Sequence, residues 1–134
     1  MISYTCTEVP DVVAQSMISS IEANNMRLVS HINGQANAAR MGKTVPADQI
    51  LEVFRPDFAI RVWQCCKPAG IEIPLRIHLY EDDSGNVIVT YRTAQEIFQP
   101  YQSQELMKIG EELDEIFLNI LRVLGEEHAE VSYG

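Results

Sequence analysis

Apolar residues recur at helical spacing near both ends of the chain. In residues 10–24 they repeat at i, i+4 and i+8, as Val13, Met17 and Ile21. In residues 104–124 they form one face of the longest predicted helix: Leu106, Ile109, Leu113, Ile116, Phe117, Ile120 and Leu124. Acids fall on the opposite side and predict a solvated face, namely Glu111, Glu112, Asp114 and Glu115. Both segments are therefore predicted to be amphipathic helices, the second one long.

The clearest strand pattern is that of a hairpin. Residues 75–81 alternate between apolar and polar positions, and residues 87–92 do so again after a polar turn. A three-residue loop with Gly85 in the left-handed region fixes the pairing register. On one side this register places two polar pairs opposite each other, His78 with Thr90 and Arg76 with Arg92. The core side then carries Ile77, Leu79, Val89 and Tyr91.

Shorter segments complete the predicted set of elements. Strands are predicted at residues 2–7, 26–33 and 50–54, and helical segments at residues 35–41 and 56–66. In the second of these strands, Leu28, Ser30 and Ile32 are predicted to face one way, and Val29 and His31 the other. The acidic tail from Gly125 is predicted to fray.

Because strands and helices intermingle along the chain, the pattern predicts an α+β fold. We expect a mixed sheet of four or five strands, with helices packed largely on one face. The chain has 134 residues, no repeat and no linker, so residues 1–134 are expected to form a single domain.

The charge balance narrows the range of partners. Ten basic and nineteen acidic residues leave a formal net charge of −9. A surface this acidic repels phosphate backbones and anionic lipids, so neither nucleic acid nor membrane partners are expected. The chain has no apolar run of roughly 18 to 20 residues and no signal-peptide pattern at its start. A cytoplasmic protein is expected, with reduced thiols at Cys6, Cys65 and Cys66.

His31 is the first candidate functional residue. It lies near the end of a predicted strand, just before Gly34 and an alanine-rich turn, where a sheet edge can open into a pocket. Imidazole serves as a base, a proton donor or a metal ligand near neutral pH. The alternative is a histidine that is hydrogen-bonded in or near the core.

The polar side of the hairpin is the second candidate. Arg76, His78, Thr90 and Arg92 are predicted to cluster there, and two guanidinium groups offer fixed paired donors to a carboxylate or a phosphate. Two cations opposite each other repel unless an anion lies between them. This arrangement therefore favours an anion-binding site. The alternative is an ordinary solvated sheet face.

Recognisable enzyme and metal signatures are absent from the sequence. Cys65 and Cys66 are adjacent and lack the spacing of a chelating pair. The run Asp82–Asn86 lacks the length and the terminal glutamate of a calcium loop. No phosphate loop, nucleophile elbow or Ser-His-Asp arrangement is visible. The sequence therefore leans away from an enzyme and indicates no cofactor.

The order of several small motifs resembles the family called domain of unknown function 302. The first group is His31, the turn Ala36-Asn37-Ala38-Ala39, Gly42 and Pro46. The second is Gly70-Ile71-Glu72-Ile73-Pro74-Leu75-Arg76, then Tyr80-Glu81-Asp82, Gly85 and Tyr91. This resemblance spans about residues 26–93. It implies an α+β fold and a homodimer, and it implies that His31, Arg76 and Glu81 line any site. It implies no reaction, because the family has none established.

Two segments depart from that family pattern. Many members carry Gly-Asn-Pro before the second helix, where this chain has Phe54-Arg55-Pro56. They often carry Asn-Asp-Pro after the hairpin, where this chain has Arg92-Thr93-Ala94. If these segments build the family's pocket, its shape and charge differ here.

Three functional hypotheses follow. The first is a homodimer without enzymatic activity that binds a small molecule in a cleft near His31 and Arg76, with Glu81, His78 and Arg92 nearby. The two arginines would suit an anionic ligand. The second is a haem or metal protein with His31 as a ligand, since a single histidine can hold haem iron. The third is an enzyme in which His31 is the general base. The long C-terminal helix could also pack at a dimer interface or dock on another protein.

Overall fold

The computed structural model describes residues 1–132. The elements follow the predicted order, and a short helix after the hairpin and a short strand near the end of the chain are added to it. The strands are β1 (Ile2–Cys6), β2 (Arg27–Asn33), β3 (Asp48–Phe54), β4 (Leu75–Glu81), β5 (Val87–Tyr91) and β6 (Ala129–Glu130). The helices are α1 (Pro10–Ala23), α2 (Gly34–Ala39), α3 (Pro56–Cys65), α4 (Ala94–Phe98) and α5 (Gln104–Leu121). Short 3₁₀ turns cover Lys67–Glu72, Gln99–Tyr101 and Arg122–Leu124.

Within residues 1–132 the strands form a six-stranded sheet in the order β2-β3-β4-β5-β1-β6. Every pairing is antiparallel, which differs from the mixed sheet of four or five strands that the sequence pattern predicts. The sixth strand comes from the tail that was expected to fray, because Ala129 and Glu130 pair with Ser3 and Ile2 of β1. A two-residue strand has no alternation to detect. The last two residues of that tail lie outside the described part of the chain.

The helices bury one face of the sheet, as predicted. Side chains from α1, α3 and α5 share a single apolar core with the inward residues of the strands, among them Met17, Val62 and Leu113 with Leu51 and Ile77. We call this side of the sheet the helix face. Strand residues alternate between the two sides, so Ile50, Glu52, Arg76, His78 and Thr90 lie on the other side, the open face. The α+β class with a long C-terminal helix is therefore confirmed.

Local signals explain where the elements begin and turn. Pro10 and Pro56 occupy the first turns of α1 and α3, where a missing N–H costs nothing. The Ser103 side chain accepts a hydrogen bond from the backbone N–H of Leu106 and so begins α5. Gly85 has a φ of 81° in the β4–β5 loop, as the hairpin requires. The hairpin register is confirmed, with His78 opposite Thr90.

One strand departs from its predicted alternation. The pairing of β2 with β3 shifts between Leu28 and Ser30, which is the signature of a bulge around Val29. Leu28 therefore packs against the core, while Ser30 and Ile32 lie on the open face opposite Glu52 and Ile50. The prediction that Leu28 shares a face with Ser30 and Ile32 is wrong. An extra residue resets the period of two, and no sequence signal marks it.

Candidate functional site

A groove crosses the open face above β3, β4 and β5. Its floor consists of Ile50, Glu52, Arg76, His78 and Thr90. The segment 71–74, which precedes β4 and ends in a cis Ile73–Pro74 peptide bond, forms one wall. Met1, Tyr91, Arg92 and Ile97 complete the lining. The groove has a volume of about 490 Å³, within the range of small-molecule sites. We call it the open-face groove.

The predicted hairpin cluster lies in this groove. Arg76, His78 and Thr90 project from the paired strands, and Arg92 follows directly after β5. The polar side chains that the sequence analysis grouped on one side of the hairpin therefore line a single concave surface.

Arg76 and His78 already have acidic partners. Arg76 Nε lies 3.5 Å from Glu52 Oε2 on the neighbouring strand. His78 Nε2 donates to Asp48 Oδ1 at 3.0 Å, and its ring stacks on Tyr80 at a centroid distance of 4.8 Å. These cross-strand pairs follow from the β3–β4 register, which places Glu52 opposite Arg76. The repulsion expected between the two arginines is therefore reduced, since Arg76 is balanced by Glu52.

Arg92 differs from the other two. It lines the groove, and within residues 1–132 its guanidinium has neither a hydrogen-bond nor an ion-pair partner. Its five N–H donors are thus available to a ligand. A planar guanidinium of this kind binds a carboxylate or phosphate with two parallel hydrogen bonds.

Glu72 supplies a negative charge to the groove wall. Its Oε2 accepts a hydrogen bond from the Tyr101 hydroxyl at 2.9 Å. The hydrogen bond to this carboxylate raises the pKa of Tyr101, because it stabilises the phenol in its protonated form. The contact also ties the groove wall to the 3₁₀ turn that precedes α5.

His31 lies on the helix face, across the sheet from Arg76. It pairs with Leu51, which pairs with Ile77, and directly paired residues share one face. Arg76 pairs with Glu52 on the other face. Within one chain, a single cleft therefore cannot hold both His31 and Arg76, because the sheet itself separates them.

The His31 ring supports a buried polar side chain. Its Nε2 donates to Gln49 Oε1 at 2.6 Å, and Gln49 is only 2% exposed. His31 itself is exposed on β2, at the edge of the sheet. This contact agrees with the structural alternative for His31. Because Nε2 is engaged, Nδ1 is the ring nitrogen that would have to bind a metal ion or accept a proton from a substrate.

Glu81 is also absent from the open-face groove. Its Oε1 accepts a hydrogen bond from the backbone N–H of Ala47 at 3.0 Å, and its own N–H donates to the carbonyl oxygen of Ala47 at 3.1 Å. These two bonds hold the chain where it enters β3. Three of the five residues expected at the site, Arg76, His78 and Arg92, thus lie together, and His31 and Glu81 lie elsewhere.

Sequence reasoning missed the acidic half of the groove. Glu52 and Glu72 line it, and Asp48 accepts a hydrogen bond from His78. The alternation of β3 contained a signal for Glu52, because Glu52 is the polar neighbour of the buried pair Leu51 and Val53. No local pattern places Glu72 beside the sheet, since that depends on how the segment 71–74 folds back.

The two segments that depart from the family pattern have different roles. Arg55 holds the start of α3, where its guanidinium donates to both Asp57 oxygens, at 2.7 and 3.1 Å, and to the Asn25 carbonyl oxygen. This contact keeps the pKa of Asp57 below its ordinary value. Thr93 caps α4 by accepting from the Glu96 N–H, and Arg92 lies in the groove. Only the second departure changes the charge of the groove.

The thiols and the metal candidates add no further site. Burial raises the pKa of Cys6 and of Cys65, which keeps both thiols protonated near neutral pH. Within residues 1–132, no group of three His, Cys, Asp or Glu side chains is placed to hold a metal ion. No helix in the same range has the length and apolar character needed to cross a membrane.

Fold and site together define a class: an α+β protein whose antiparallel sheet is covered by helices on one face and grooved on the other. The chain belongs to the family described as Domain of unknown function DUF302, which matches residues 2–124. The resemblance based on residues 26–93 is therefore confirmed over most of the chain.

A solved structure agrees with this assignment. The chain is similar to the "uncharacterized conserved protein DUF302 from Bacillus stearothermophilus", with 14% sequence identity and a TM-score of 0.77. The match covers 92% of this chain and 94% of that chain. At this identity the likeness shows the fold alone. The comparison with curated proteins gives no match.

Proposed function

We propose that the protein binds a small anion in the open-face groove, with Arg92 as the principal contact and Arg76 beside it. The observation that carries the proposal is the unpaired guanidinium of Arg92 in a concave site of about 490 Å³. In a chain of net charge −9, an arginine without an acidic partner inside a concave site is a local positive charge that would attract an anion. A bound carboxylate would form the ion pair that this arginine lacks.

Arg76 and His78 are assigned a supporting role. Each side chain is held by an acid on β3, so each can add a hydrogen bond to a ligand whose charge is met by Arg92. His31 and Glu81 are not part of the proposed site, since each already holds another part of the chain. The haem, metal and general-base hypotheses all depend on His31, whose Nε2 already donates to Gln49 Oε1.

The experiment is an NMR titration with acetate and with inorganic phosphate at constant ionic strength. We expect saturable shifts of backbone amides around residues 72–78 and 90–92. Arg92→Gln should weaken binding at least tenfold, because a charge-assisted bidentate contact is lost. Arg122→Gln is the matched control, since Arg122 contacts Asn119 on α5 and does not line the groove. Saturable binding that Arg92→Gln leaves unchanged would contradict the proposal.

The homodimer implied by the family is also proposed here, with β2 as the contact. β2 is an edge strand, so one row of its backbone N–H and C=O groups has no strand partner in residues 1–132. Val29 and Ile32 are exposed on this strand, which adds apolar surface. Two copies of β2 can pair antiparallel about a two-fold axis, and such an interface is self-complementary.

Sedimentation equilibrium tests this interface. The wild-type chain should behave as a dimer, and Ile32→Lys should shift it to a monomer by placing a charge in the contact. Ile60→Lys is the control, because Ile60 is similarly exposed but lies on α3. A wild-type monomer, or a dimer that survives Ile32→Lys with an unchanged dissociation constant, would rule out this contact.

A further inference from the structure

The open-face groove combines its free arginine with an apolar wall. Ile50, Ile71, Ile73, Pro74 and Ile97 all line it. Ile71 is 83% exposed, more than any other large apolar side chain described. A side chain of this kind gains from contact with an apolar ligand, because the contact removes its surface from water.

The size of the groove points beyond a bare anion. A space of about 490 Å³ lies within the range of sites that hold ligands much larger than acetate. Acetate or phosphate bound at Arg92 would fill only a small part of it. The remaining water would still lie against isoleucine side chains, so a ligand with an apolar body gains by displacing it.

The charges in the groove favour a head group with a single negative charge. Glu52 on the groove floor forms an ion pair with Arg76. Glu72 in the wall adds a further carboxylate to the groove. Because Arg76 and Glu52 are paired, a doubly charged phosphate would meet the unpaired Arg92 and would be repelled by the carboxylate of Glu72. A carboxylate carries one charge and matches the planar donor pair of Arg92.

We propose that the groove binds an amphipathic monocarboxylate, with its carboxylate on Arg92 and its apolar body along Ile71 and Ile73. This inference rests on the proposed anion site and specifies the ligand class that the site accepts. Straight-chain carboxylates are suitable probes because their head group stays constant while the apolar body lengthens.

The test compares dissociation constants for acetate, hexanoate, octanoate, 1-octanol and inorganic phosphate by NMR, below micelle-forming concentrations. Each methylene removed from water tightens binding by up to about fourfold, so octanoate should bind at least tenfold more tightly than acetate. Arg92→Gln should weaken both carboxylates. Ile71→Ser should reduce the gain from chain length, and Ile60→Ser on α3 should not.

The outcomes separate this inference from the proposed function. If acetate and octanoate bind with equal affinity and Arg92→Gln abolishes binding of both, the apolar body does not contribute to binding. That result would overturn this inference and still support the anion site. If phosphate binds more tightly than acetate, the groove does not prefer a singly charged head group. That result would likewise overturn this inference and still support the anion site. Octanol binding as tightly as octanoate, or binding by no probe at all, would overturn both.

Discussion

Asp114 shows how a single side chain can change its role through burial. It lies on α5 and is only 9% exposed, although the sequence pattern grouped it with the solvated acids of that helix. Its Oδ1 accepts from the Ala94 N–H at 2.6 Å, and its Oδ2 accepts from the backbone and side-chain N–H groups of Gln95. The carboxylate therefore joins the start of α4 to α5. The prediction that Asp114 is solvated is wrong, because α4 was not predicted and covers it.

The stability contributed by Asp114 should depend on pH. Burial raises the pKa of Asp114 above its ordinary value of 3.8, and the hydrogen bonds from Gln95 and Ala94 oppose that rise. A carboxyl group with a raised folded-state pKa binds its proton more tightly when folded, so its contribution falls as pH rises from 3.8 through the folded-state value. Relative to Asp114→Asn, the wild-type chain should lose stability across that window.

Urea unfolding at a series of pH values, for the wild type and for Asp114→Asn, measures this difference. Glu111→Gln is the control, because Glu111 is exposed on the same helix. A difference between wild type and Asp114→Asn that stays constant across the acid range would show that burial of Asp114 does not control its titration.

At the scale of elements, α5 is the segment that the sequence predicted best. Every residue of its predicted apolar face is buried or packs against the core. Arg61 of α3 makes a bidentate contact with Glu112 of α5, which ties the two helices together on their solvent side. The same contact lowers the pKa of Glu112. Periodicity predicted the face, but the partner of Glu112 depends on how the two helices pack.

The buried face of α5 should carry most of its stabilising effect. Phe117 is 2% exposed, and its ring lies 5.7 Å from that of Tyr91 on β5. Phe117→Ala should reduce the free energy of unfolding by about 3–5 kcal/mol, because it removes a large buried ring and leaves a cavity. Leu118→Ala, at a position 38% exposed, should change it by only about 0.5 kcal/mol. Chemical denaturation measures both, and equal losses would contradict the assigned face.

At the scale of the whole molecule, the sheet divides the candidate chemistry into two independent regions. The helix face holds His31 with Gln49, and the open face holds Arg76, His78 and Arg92. His31 and Arg76 do not share one cleft, because their pairing partners Leu51 and Glu52 are neighbours on β3 and point to opposite sides of the sheet. A change on one face should therefore leave the chemistry of the other intact.

His31→Ala tests this separation. It should lower stability by about 1 kcal/mol, because the buried Gln49 loses its hydrogen-bond donor. It should leave acetate binding unchanged, since His31 does not line the groove. Denaturation and titration of His31→Ala, Arg92→Gln and the double variant should give additive stability changes within about 0.5 kcal/mol. If a folded His31→Ala variant binds acetate more weakly, His31 contributes to the binding site and the proposed separation is wrong.

Local sequence determined the amphipathic faces of the helices and the register of the β4–β5 hairpin, because both depend on residues close together in the chain. It thereby placed Arg76, His78, Thr90 and Arg92 on one side. Only the tertiary structure decided the rest. The face of His31 depends on a bulge and on pairing with a strand some twenty residues away. The partners of Arg76, the wall at residues 71–74 and the burial of Asp114 each require distant segments to meet, and no local period encodes such a meeting.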